Sequence, residues 1–479
     1  MTRPLMKPLY SWAFPACLGL ALQAQAPPPL PGLLISQQSR TAFAIQGAGA
    51  RAEGIGGAFT AVADDATAVS FNPAGLGQLL QPEVSLVGMT YRRELDNRNF
   101  ISNDQAKPLS LSDSLARDKR SLPTFASASV PTKFRGKNLV FQLSWQRLFD
   151  LGQETTQTIQ ETDPIGTFPT KYLAQRIQQK GQVDVWSAAV AYDFSPRFLV
   201  GVSFNVWRGS WNFRSNNEES LLPLPNPETE FVQIQEDVKL RGSNWNIGVL
   251  WRSEKLNVGA VYRGAFTARF DSRMTTNSNV DGSLLPATFT ASYPLHWPET
   301  YGAGLAFRPH QQWLLALDWT RTRWSQATFL AKGESLDNLN FFDLQAATRT
   351  PDAETLRFGM EYLVFAGNSV VPLRIGVFKE PQPTADPTSG EDRVFRGYTL
   401  GIGWKARSMG VDLAYKFSQG SRRASQFLEA DEIATNRDGV PTSRGQESIH
   451  DHRIFLSFNF RFGNEGANRL LRWFFVQGN

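Results

Sequence analysis

The 479-residue chain has one cysteine, four histidines and, beyond its first two dozen residues, no apolar run long enough for a spanning helix. Each shortage excludes something. Cys17 lies in the leader described below, so the remainder offers no disulfide, thiol nucleophile or thiolate metal site. Without long apolar runs the chain is not a helical membrane protein. An excess of one charge is also missing. The 49 basic and 44 acidic residues leave +5, or +3 without Arg3 and Lys7, too even for a nucleic-acid partner. No G-x-S-x-G elbow occurs, and a Ser–His pairing such as Ser457 with His450 has nothing in its favour, so no enzyme is expected. Gly47, Gly49 and Ala52 have a GxGxxA spacing with no strand ahead of it, which excludes a dinucleotide site. His450 and His452 read as a titrating rim pair more readily than as metal ligands with a loop carboxylate such as Asp431. No metal or cofactor is expected.

Arg3 and Lys7 precede an apolar stretch from Leu9 to Leu22, the layout of a secretory signal peptide. Cleavage after Ala24 is preferred, because cleavage after Ala26 would leave Pro27 next to the cut. Residues 1–24 are therefore expected to be a leader, and the chain to be exported.

What the chain does have is aromatics, 34 Phe and 13 Trp among them, set in a period of two. Ile454, Leu456, Phe458, Phe460 and Phe462 alternate with Phe455, Ser457, Asn459 and Arg461, and Tyr398, Leu400, Ile402 and Trp404 with Thr399, Gly401, Gly403 and Lys405. Aromatics on one face and charges on the other, repeated over many strands, suit a barrel with lipid outside and a polar lumen. The alternation predicts fourteen strands near 83–94, 122–131, 138–149, 182–194, 197–213, 236–252, 255–270, 299–308, 312–321, 355–363, 371–379, 394–405, 410–417 and 450–462. The segments between them alternate long and short, as outer loops and periplasmic turns do. The fold class is thus all-β: a transmembrane antiparallel barrel of about 14 strands over 83–462, with a segment at 25–82 ahead of it and a tail at 463–479. A multi-pass, monomeric barrel in the bacterial outer membrane, in contact with its lipid, is expected.

The most specific stretch is GAGARAEGIGGAFTAVADDATAVSFNPAGL, from Gly47 to Leu76. Gly54, Gly56 and Gly57 permit tight turns, Ala58 to Ala68 suits a short helix in a crowded lumen, and Asn72-Pro73 is a turn signal. Asp64 and Asp65 are expected to be solvated or to pair with inward arginines. The block resembles the amino-terminal hatch of the outer-membrane long-chain fatty acid transporter family, the FadL/TodX type, down to Asn72-Pro73-Ala74. Trp297-Pro298 with the GAGLAFRP run, LDWTRTRWS, RFGMEY and VPLRIGVF are similar to that family's late strands. The resemblance implies passive uptake of long-chain fatty acids or similar hydrophobic compounds through a lumenal pocket gated by a hatch at 25–82. Asn72, Pro73, Ala74, Gly54, Gly56 and Gly57 would form the gate. It also implies a side opening at a kink in the third strand, 138–149, a stretch without Gly or Pro. The block is similar as well to PorV-type barrels, leaving open a barrel that docks secreted proteins or assembly factors.

A water-filled porin lines its inward face with polar groups, yet Leu148, Leu199, Trp207, Val261, Leu314, Phe378 and Phe455 fall on that face. They are candidates for an apolar pocket or for packing against the hatch. Among inward cations, Arg357, Arg374 and Arg461 are candidates to meet a substrate carboxylate.

Overall fold

A computed structural model describes residues 47–101, 109–111, 114–162, 169–221, 229–279, 286–332, 337–342, 350–385, 392–423 and 444–463. The expected leader and nearly all of the expected tail lie outside these residues. The strands are β1 (Glu83–Ile101), β2 (Ser114–Phe134), β3 (Lys137–Asp150, continued by Gln153–Thr162), β4 (Pro169–Ser195), β5 (Phe198–Leu221), β6 (Thr229–Arg252) and β7 (Leu256–Arg263, continued by Phe266–Ser278). They are followed by β8 (Ala287–Trp297, continued by Thr300–Phe307), β9 (Trp313–Thr322), β10 (Ala353–Ala366), β11 (Ser369–Ala385), β12 (Asp392–Lys405), β13 (Met409–Arg423) and β14 (Arg444–Arg461). All neighbours are antiparallel, and β1 closes the ring against β14 from Glu83↔Arg461 to Ile101↔Arg444. The short piece Leu109–Leu111 only joins the tips of β1 and β3.

The fourteen-strand barrel expected from alternation is therefore present, but many strands run far past their expected ends. Stretches expected as loops at 95–121, 150–181, 214–235 and 271–298 contain long strand extensions. Above the lipid both faces of a strand meet polar surroundings, so a sequence such as Gln153–Thr162, QETTQTIQET, loses the period of two that marks the buried band. Within the band the period is kept: in β14, Ile454, Leu456 and Phe458 are exposed outward while Phe455, Ser457 and Asn459 are buried inward.

Residues 47–82 lie inside the ring. Only Ala50–Gly54 is α-helical there; Ala68–Ser70 and Pro73–Gln78 are 3-10 turns. The helix expected at Ala58–Ala68 does not form. Gly56 and Gly57 have φ of 70° and 78°, which ends the preceding helix in a conformation that suits glycine. Barrel side chains then take the backbone donors that a helix would use. Asp318 Oδ2 accepts from the N–H groups of Phe59 and Thr60, both at 2.8 Å, and Glu83 Oε1 accepts from Ala66 at 2.9 Å. Further strands contribute: Ser457 Oγ accepts from Ala50, Thr399 Oγ1 from Gly56, and Gln142 and Asn257 donate to the carbonyls of Ala66 and Ala61. Irregular backbone at membrane depth persists only when protein satisfies it, as here.

Close approach is made possible by glycines on the inward face. A Cβ on Gly359 would lie 2.2 Å from Ile55 O, one on Gly376 2.2 Å from Gly56 N, and one on Gly201 2.3 Å from the Pro73 carbonyl carbon. Gly359 and Gly376 are direct ladder partners, as are Gly201 and Gly248. Matched glycines thus cut shallow channels into the wall, in which the lumenal chain rests.

A buried ionic network adds orientation. Arg51 pairs with Asp64 and Glu361; Arg374 donates to Glu361 at 2.6 Å and Asp412 at 2.7 Å; Lys416 lies 3.4 Å from both Glu53 and Glu380. Asp64 is also 3.6 Å from Arg308, and Asp65 lies 3.7 Å from Arg51 while accepting from its own neighbour Thr67. Burial pushes the Asp64 carboxyl up, but Arg51, then Arg308 and Lys405, outweigh it and hold the group below its ordinary range. Removing one member would strand a charge, so the pairs fix the lumenal chain's position more than they add net stability.

Candidate functional site: an aromatic cavity beside the lumenal chain

Three strands are interrupted for two residues each, at Leu151–Gly152 in β3, Gly264–Ala265 in β7 and Pro298–Glu299 in β8. In β7 and β8 the break switches which residues face inward. Val261 is buried and Tyr262 exposed below the break, while Phe266, Ala268 and Phe270 are buried above it. In β8, Tyr301 and Leu305 are exposed below and Leu295 and Trp297 buried above. Without the switch these aromatics would face outward. The stretch 138–149, where a kink was expected, lies within an unbroken strand piece, and the β3 break falls after it.

Gly264 and Pro298 of two breaks, with Phe149 just ahead of the third, line one cavity. Val69 and Ser70 of the lumenal chain form one side, and Leu148, Phe149, Val185, Trp207, Arg263, Trp297 and Trp324 contribute to the rest. Trp207 and Trp297 have ring centroids 5.4 Å apart, as do Trp297 and Trp324, and Phe266 sits 5.1 Å from Trp207. Trp324 belongs to the connection after β9, whose Phe329, Phe341 and Phe342 join the same buried cluster and roof it. Much of the polar side is bonded within the protein. Asn244 Oδ1 accepts from Trp207 Nε1 at 3.0 Å and from Asn205 at 3.1 Å, Ser70 Oγ donates to Gln146 at 2.8 Å, and Arg263 Nη2 donates to the carbonyls of Ser70 and Phe71.

The space open to the centres of water-sized spheres is about 90 Å³. That is well above the void needed to admit a single water, so the cavity takes several water-sized units. That is a compact ring or a short section of alkyl chain. An aromatic wall whose polar groups already bond one another binds apolar surface with little desolvation cost.

The model of the family described as outer membrane protein transport protein (OMPP1/FadL/TodX) matches residues 32–462. The chain belongs to that family. Its members serve transport and not catalysis, and this member is a multi-pass β-barrel of the outer membrane. Among solved structures, a Pseudomonas aeruginosa FadL homologue is similar at a TM-score of 0.63 and 15% identity, covering 88% of this chain and 100% of the other. The Pseudomonas putida toluene transporter TodX is similar at 0.57 and 14%, and the Ralstonia pickettii toluene transporter TbuX at 0.52 and 12%, each with the same coverage. At these identities the likeness concerns the fold. No curated protein matches the chain.

The candidate residues of this family member separate into groups. Leu148 and Trp207 reach the cavity. Leu199 fills the space beside Gly77, and Leu314 clusters with the lumenal chain. Phe455 packs with Ala50, Met89 and Tyr91; Phe378 lies 4.3 Å under Lys416 Nζ; Val261 is buried beside Gly302. None of the three candidate arginines faces the cavity. Arg374 holds Glu361 and Asp412, Arg357 donates to Glu380 at 2.9 Å, and Arg461 to Glu83 at 3.0 Å, so each already has a protein carboxylate. The cation at the cavity is Arg263, which alternation did not single out because it stands at a strand break. Trp297 and Trp324 enter the sequence reading only within runs of family likeness, and Phe266 does not enter it. Asn72 is fully buried, caps the turn at Pro73 by accepting from Ala74 N at 3.1 Å, and donates to Thr60 O and Val249 O at 3.0 Å. Gly54 meets Gly401, and Ala74 abuts Gly201. His450 and His452 lie against Phe417, and Tyr415 Oη is 2.8 Å from His452 Nδ1.

Proposed function

We propose that the barrel is a passive channel for hydrophobic small molecules, with residues 47–82 as the gating part of a hatch at 25–82. The observation that carries this reading is that the aromatic cavity has Val69 and Ser70 of the lumenal chain as part of its wall. A ligand resting there leaves toward the periplasm only if that chain shifts. The cavity's size favours a compact apolar group; a long-chain fatty acid would enter it end first, or after the hatch moves. The related toluene transporters are consistent with a small hydrocarbon cargo. Asn72 joins two stretches of the lumenal chain to β6, which supports the Asn72-Pro73-Ala74 turn as the latch.

The test is uptake of a labelled long-chain fatty acid and of a labelled monoaromatic hydrocarbon by a transport-deficient host carrying the native chain or Asn72→Ala with Pro73→Gly. The reading predicts uptake of at least one with the native chain and altered flux with the variant at equal folded surface level. Uptake of neither would end the channel reading. Identical flux would make the turn ordinary scaffold.

A further inference from the structure

Three arginines stand side by side on the outer wall. Arg208 on β5 is the ladder partner of Arg241 on β6, and Arg241 of Arg269 on β7. All three are exposed on the outward face. Like charges at neighbouring ladder positions repel and weaken a sheet, so the row calls for a counter-charge. Of the adjacent carboxylates one meets the row, at Arg269, and the other two are engaged away from it. Asp184, opposite Arg208, holds Arg147 at 3.1 Å; Asp271 accepts from Arg269 at 2.8 Å and Ser292 at 2.6 Å; Asp237 accepts from Asn212 at 2.7 Å. Arg208 donates to a backbone carbonyl, and among the described residues neither it nor Arg241 has an ion-pair partner.

The height of the row identifies the counter-charge. From Phe198, at the short periplasmic turn, to Arg208 is ten residues along β5. At about 3.3 Å per residue and a tilt of roughly 40°, that is about 25 Å, the height of a barrel's apolar band. Below the row the wall is apolar, with the rings of Phe204 and Trp245 tilted against each other at 4.7 Å between centroids. Above it an open groove is lined by Ser210, Asn212, Lys239 and Ser292. The arginines therefore stand where outer-leaflet headgroups meet acyl chains. We infer that Arg208, Arg241 and Arg269 clamp a phosphate group on the headgroup of an outer-leaflet lipid. Guanidinium forks match phosphate oxygens in pairs. A lipid is specified over free phosphate because its chains lie along the apolar wall beneath while its headgroup hydroxyls reach the groove.

The experiment uses the full chain purified in neutral detergent, incubated with mixed micelles containing bisphosphorylated lipid A, washed, and analysed by mass spectrometry for lipid retained per barrel. Arg208→Gln with Arg241→Gln is compared with Lys255→Gln with Arg407→Gln, which removes two charges from the periplasmic turns. Each clamp arginine is worth about five-fold in retention, so the first pair should lose ten-fold or more and the second nothing. Lipid A stripped of phosphate should not be retained, and excess inorganic phosphate should not displace the bound lipid. Equal loss in both double variants, equal retention of the stripped lipid, or displacement by inorganic phosphate would each overturn the inference. Heat-modifiable migration confirms that both variants are folded before they are compared.

Discussion

Adding one methyl group at Gly376 should release the lumenal chain without opening the barrel. The new Cβ would lie 2.2 Å from Gly56 N and 2.5 Å from the Ile55 carbonyl carbon, and both are backbone atoms that cannot swing aside. Ordinary contact begins near 3.4 Å, so the chain must retreat by about 1 Å, carrying Phe59 and Thr60 away from Asp318. Overpacking of this kind costs roughly 1–3 kcal/mol. The strain falls on the lumenal chain and not on the ladder, so the released population should rise about 5- to 150-fold. Arg51 is buried in the native protein, and trypsin cuts after it only when the chain comes free. Appearance of a fragment beginning at Ala52, followed by mass spectrometry over time, therefore reads the release directly. Gly410→Ala is the control, since a Cβ there meets nothing closer than 3.8 Å. Equal cleavage rates for Gly376→Ala and Gly410→Ala, with both barrels heat-modifiable, would refute the claim that strand glycines hold the lumenal chain.

Asp318→Ala should release the same chain more than Asp318→Asn does, because Asn keeps an acceptor for the two N–H groups whereas Ala strands both at about 1–3 kcal/mol each; the trypsin assay ranks them. Acid should do likewise: the Asp64 carboxyl is held below its ordinary range, so its contribution is complete above that range and is lost as the pH falls through the depressed value. Pepsin cleavage within residues 47–82 should therefore accelerate in strong acid, and less so in Asp64→Asn. Leu400→Arg, outward and near mid-membrane, should cost about 2–4 kcal/mol of assembly and lower the heat-modifiable fraction, while Arg407→Gln in a periplasmic turn should not. Trp207→Ala should enlarge the cavity and raise the relative affinity for bulkier ring compounds, measured by competition binding.

Strand alternation made the barrel legible because lipid imposes a strict demand on one face: Ile454 to Phe462 shows its period in the sequence and its burial in the fold. Above the lipid that demand ends, and Gln153–Thr162 or Ser114–Lys119 carry no signal although they are strands. The cavity was hidden for a different reason. Phe266 and Trp297 face inward only because two-residue breaks at Gly264 and Pro298 switch the facing of β7 and β8, and a reading that carries one period through the break places both outside. The paired glycines were visible as residues, but their partners lie hundreds of positions away in the chain, as with Gly376 and Gly56, so their purpose appears only in three dimensions. The three arginines proposed for a ligand were correctly placed inward, yet the acids that occupy them, Glu361, Asp412, Glu380 and Glu83, sit on other strands at a register that sequence does not display.

The central claim is that apolar ligands rest between the lumenal chain and the tryptophan cluster. A crystal structure of the protein soaked with a bromine-substituted aromatic hydrocarbon, with the bromine located by anomalous scattering, tests it most directly. The account predicts a bromine peak inside the barrel within contact of Trp207, Trp297 and Val69, weakened by Trp207→Ala. Bromine found only along the outer apolar wall, with the cavity occupied by water, would contradict it.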